Sequence, residues 1–89
     1  MDRIDVTRLD DQRFAVSIGE EGSGSHHEVT ATDAQVAHLA PGSDAADVVE
    51  ASIRFLLDRE PKESIMPRFD LDTISRFFPE YEREIGEYL

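Results

Sequence analysis

The chain has no cysteine and no tryptophan, a single lysine, and no long apolar run. Without cysteine there is no disulfide and no thiolate metal site, and nothing calls for an oxidising compartment. No segment approaches the roughly 20 apolar residues of a membrane span. The opening MDRIDVTRLDDQ carries charges at every second or third position and has no apolar leader core, so the chain is expected to be soluble and cytoplasmic, with no membrane contact. Basic residues are also scarce: eight Arg and one Lys face ten Asp and ten Glu, a net charge of −11. Residues 1–18 carry −1, residues 19–42 carry −4, and residues 43–60 and 61–89 carry −3 each. A field of that sign repels phosphate backbones and anionic lipid, so direct nucleic-acid binding is not expected. The same acidity suits a protein kept soluble in high salt.

What is present in 89 residues is one domain's worth of core. A chain of this length buries only about 60 to 65% of its unfolded surface. In RIDVTRL, Ile4 and Val6 alternate against Arg3, Asp5 and Thr7; in RFAVSI, Phe14, Val16 and Ile18 share a face. Two half-buried strands joined as a hairpin through Leu9 to Gln12 are expected, with a third in HHEVTAT, where His27, Val29 and Ala31 alternate. The intervening GEEGSGS cannot pack and reads as a mobile surface loop.

The remainder reads as helical. Thr32 and Gln35 form a capping-box pattern ahead of Val36 and Leu39, and Ala40-Pro41-Gly42 ends that helix. Ser43 or Asp44 caps the next, whose apolar stripe runs Ala45, Val48, Val49, Ser52, Ile53 and Leu56. Pro61 stops it and begins a short turn through Ile65, which Pro67 closes; Asp70 caps Leu71 to Phe78, and Pro79 opens a last helix. The fold expected is α+β: a three-stranded antiparallel meander over residues 1–32, then three to four helices over 33–89 packed on one face of the sheet.

The segment EASIRFLLDREPKESIMPRFDLDTISRFFPEYEREI resembles a stretch found in small bacterial proteins of uncharacterised function, in which a FLLDREPKESI run leads to a Phe-Pro-Glu-Tyr. The resemblance covers about two fifths of the chain and implies only that the helical half is a recurring structural unit.

Chemistry-bearing constellations are thin. No G-x-S-x-G elbow accompanies the serines. Adjacent His26 and His27 on a strand point to opposite faces, so at most one could join His38 as a metal ligand. Asp70 and Asp72 in FDLDT lack the third ligand and glycine of a calcium loop, and capping explains Asp70 more simply. No catalytic set, cofactor or metal is therefore expected. The positive signal is aromatic: Phe55, Phe69, Phe77, Phe78, Tyr81 and Tyr88 fall in the last 35 positions. Phe77 and Phe78 on one helix point about 100° apart and cannot both enter the same neighbour. The expectation is a non-enzymatic interaction or regulatory module that uses Met66, Phe69, Phe77, Phe78 and Tyr81 to bind a protein partner or a second copy of itself. An acidic mimic of a nucleic acid, occupying a basic DNA- or RNA-binding protein, is the rival reading, and the eight scattered arginines interrupt its anionic stripe.

Overall fold

The computed structural model describes residues 3–19 and 24–89. The loop expected at GEEGSGS falls mostly on residues 20–23, outside the described residues. Strands β1 (Ile4–Arg8), β2 (Arg13–Ile18) and β3 (Ser25–Thr30) form the antiparallel meander that the alternation predicts. Two helices follow, α1 (Asp33–Leu39) and α2 (Ala45–Leu57), and then a 3-10 turn at Lys62–Ser64. A fourth strand, β4 (Arg68–Asp70), precedes α3 (Leu71–Phe77) and α4 (Tyr81–Glu84), which runs on as a 3-10 turn through Tyr88.

The architecture is α+β, but the sheet has four strands in the order β1-β2-β3-β4, and β4 pairs parallel to β3. This corrects the expectation of three antiparallel strands and of a purely helical second half. Residues 31–67 supply the long connection that a parallel neighbour requires. Phe69, expected on a partner-binding surface, and Asp70, expected as a helix cap, lie opposite Val29 and Thr30 in the ladder.

Local signals and structure agree at the helix ends. Thr32 accepts from the Gln35 N–H while the Gln35 side chain accepts from the Thr32 N–H, a complete capping box. Asp44 caps α2 through the Ala46 N–H, and Asp70 caps α3 through the Thr73 N–H. At the hairpin, Asp10 accepts from the Gln12 and Arg13 N–H groups at 2.9 and 2.8 Å and from Arg13 Nε at 2.6 Å.

One face of the sheet is sealed. Phe14, Val16, Ile18, Val29 and Ala31 point into it and meet Val48, Val49, Ile53 and Phe55 of α2, with Leu71, Ile74 and Ile85 completing the core. Phe55 is its aromatic hub: Phe78, Tyr81 and Tyr88 approach edge-on at centroid distances of 5.9, 5.1 and 5.8 Å. The Arg59 guanidinium stacks 3.6 Å from the same ring centroid, bonds Glu80 and Glu84 at 3.1 Å each, and donates to the Phe55 carbonyl.

An apolar cavity at the β4 edge

The C-terminal aromatics divide into an inner and an outer set. Tyr81 belongs wholly to the inner one: it is fully buried, and its hydroxyl lies 2.6 Å from Ser52 Oγ. Tyr81 is thus a core residue, which corrects its expected place on a partner-binding surface. Sequence reading missed this because its polar partner sits 29 residues away, yet Ser52 in the middle of the apolar stripe of α2 was a signal: a buried hydroxyl needs a partner.

The other four expected residues come together. Met66, Phe69, Phe77 and Phe78 wall a cavity of ≈ 300 Å³ between the end of α2, the 3-10 turn, β4 and α3. Leu56, Ile65 and Ile74 form its floor and are nearly buried, while Glu60, Ser64 and Thr73 supply the polar rim. Each wall has a local cause. The cap at Asp70 starts α3 directly after β4, so Phe69 reaches the cavity from the strand and Phe77 and Phe78 reach it from the helix end. Phe78 leaves the helical conformation at φ −131°, ψ 87° and packs on Phe55. Phe77 remains 66% exposed and Met66 39% exposed. Phe55 meets Tyr81, Tyr88 and the Arg59 guanidinium, and Phe78 takes the remaining place against it while Phe77 stays out.

The histidines go elsewhere. His27 lies against the core, with Nδ1 2.7 Å from the Met66 carbonyl and Nε2 2.8 Å from Ser25 Oγ. A carbonyl only accepts, so Nδ1 carries a proton, and in the neutral ring Ser25 donates to Nε2. This has the polarity of an activated serine, but neither residue lines the cavity. The pair ties β3 to the segment leading into β4, alongside the Glu28 N–H to Pro67 carbonyl bond of 2.8 Å. His26 meets Ser17 Oγ at 3.1 Å on the open sheet face, and His38 meets Glu82 at 3.0 Å, a contact that holds the Glu82 carboxyl below its usual range. His27 and His38 do not converge, and no group of three metal-ligating side chains occurs among the described residues. No described helix is long and apolar enough to cross a membrane.

Comparison with protein-family models, curated proteins and solved structures gives no match to this chain.

Proposed function

We propose that this chain is a non-enzymatic protein-interaction module whose β4-edge cavity receives an apolar side chain of a partner protein. The observation that carries the reading is Phe77: a phenyl ring left 66% exposed on the wall of an apolar cavity, in a domain short of core. A volume of ≈ 300 Å³ suits one or two hydrophobic side chains and stands at the small end of ligand cavities. The net charge of −11 defines the rest of the partner, which presents its anchor among basic residues. The mimic reading draws less support, because Arg13, Arg54 and Arg59 each pair with acidic groups and break the anionic surface into patches.

The test is a paired capture from the native host with wild-type protein and Phe77→Ser, followed by calorimetry on the purified pair. A basic protein retained by the wild type should bind Phe77→Ser at least tenfold more weakly, as expected for an aromatic anchor. Phe77→Ser should melt with the wild type, whereas Phe78→Ala, which empties the contact with Phe55, should lose about 1 to 3 kcal/mol. Equal binding by wild type and Phe77→Ser would refute the cavity's role. Competition by duplex DNA for the captured protein, insensitive to Phe77→Ser, would favour the mimic instead.

A further inference from the structure

The two edges of the sheet are unlike. β4 is three residues long and follows Pro67, which are two ways of blunting an edge. β1 is five residues long and has neither proline nor bulge. Its ladder shows which groups remain open. Gly19 N–H donates to the Arg3 carbonyl and Leu9 N–H to the Arg13 carbonyl, both at 2.8 Å, and the register between them is unbroken. Hydrogen-bonded positions alternate in an antiparallel pair, so Asp5 and Thr7 face β2, while the N–H and C=O groups of Ile4, Val6 and Arg8 point away from the sheet.

We propose that β1 is a self-pairing edge, through which two copies of this chain join antiparallel about a dyad at Val6 into a continuous eight-stranded sheet. With Val6 on the dyad, Ile4 meets Arg8 of the second copy and Val6 meets its own equivalent. All three outward residues of each strand then find partners, six hydrogen bonds in all. Moving the dyad to Asp5 sets two aspartates side by side and reduces the count to four. Two further features favour a second copy. Residues 3–18 hold three Arg and three Asp, so this hairpin is electrically neutral while the rest of the chain carries the −11. Two acidic molecules can approach there without the repulsion that opposes contact elsewhere. Ile4 and Val6 are only half-buried beside α2, so pairing brings the apolar stripes of the two sheets together across the seam at Val6.

The Val6 register also places Asp5 opposite Thr7 of the other copy on the open face, at a non-hydrogen-bonded pair where side chains approach most closely. This gives a test that leaves the fold intact, because Thr7 is exposed. Light scattering and sedimentation over a dilution series should show a dimer that dissociates reversibly. Thr7→Lys, which faces Asp5 of the other copy on each side of the dyad, should tighten it, and Thr7→Asp should loosen it, each by roughly two- to thirtyfold for two cross-strand pairs. Val6→Pro, which removes an outward N–H that β2 does not use, should give a folded monomer. A strict monomer at millimolar concentration would overturn the proposal. So would a dimer whose dissociation constant ignores both Thr7 substitutions, and one abolished by Phe77→Ser would place self-association at the cavity instead.

Discussion

The Ser52–Tyr81 contact makes a directional prediction. Ser52 Oγ lies 2.7 Å from the Val48 carbonyl, which can only accept, so Ser52 donates there and Tyr81 O–H donates to Ser52 at 2.6 Å. Both residues are fully buried. In Ser52→Ala the Tyr81 hydroxyl keeps its proton and loses its acceptor away from water, a cost of about 1 to 3 kcal/mol. In Tyr81→Phe, Ser52 keeps its donation to Val48 and loses only an incoming bond, about 0.5 to 1.5 kcal/mol. The double variant leaves nothing unsatisfied, so it should be no less stable than Ser52→Ala alone. Urea titration of the four proteins at constant slope measures the cycle. Tyr81→Phe costing more than Ser52→Ala, or costs that add within about 0.5 kcal/mol, would refute the assigned donor direction.

The same contact has a pH signature. Burial pushes the Tyr81 phenol up to about 12 from an ordinary 10.0. The proton stays on in both states below pH 10. Above it the unfolded chain releases a proton that the folded chain retains, so stability falls between pH 10 and 12 by roughly 2 to 3 kcal/mol. Tyr81→Phe should remove most of that fall. Tyr88, raised in the same direction chiefly by its hydrogen bond to Asp58, leaves a smaller background that the substitution does not touch.

Two further outcomes test the framework around the cavity. Arg59→Lys keeps the charge but cannot stack on Phe55 while bridging Glu80 and Glu84, and should cost about 1 to 2 kcal/mol in thermal or urea unfolding; an unchanged midpoint would mean the guanidinium geometry is idle. A Cβ at Gly24 would run into the Ile18 carbonyl oxygen, where backbone cannot yield cheaply, so Gly24→Ala should destabilise by about 1 to 3 kcal/mol and broaden the amide resonances of β2 and β3, whereas Gly86→Ala, which meets nothing, should be silent.

Where a structural feature is local, the chain displays it. The Thr32–Gln35 box, the Asp44 and Asp70 caps and the alternation of β1 to β3 each depend on residues within a few positions of one another, and each is found as expected. β4 was hidden because three residues show no alternation and because Asp70 is also a helix cap. Its pairing with Glu28 to Thr30 is a contact at long sequence separation, prepared by the His27 tie to Met66. Four of the five expected site residues share one cavity, since a run of aromatics around two short elements leaves some ring uncovered. Tyr81 failed for the reason β4 did: its decisive neighbour, Ser52, lies on another element.

The cavity and the β1 edge bear on each other through the strand order. Phe69 belongs to β4, so the cavity sits at one end of the sheet and the proposed seam at the other. Pairing at β1 therefore hides neither Phe77 nor Met66, and a dimer would carry two cavities at its far ends. An exposed Phe77 forgoes roughly 1 to 2 kcal/mol that burial would return, too little for firm binding by one side chain alone. Presenting the anchor site twice on a rigid sheet changes that balance, because the second contact on a bivalent partner becomes intramolecular and gains avidity without any new interaction. The two proposals are thus independent in origin and mutually reinforcing in effect: a weak, small cavity gains most from a neutral edge that lets an otherwise self-repelling chain double itself.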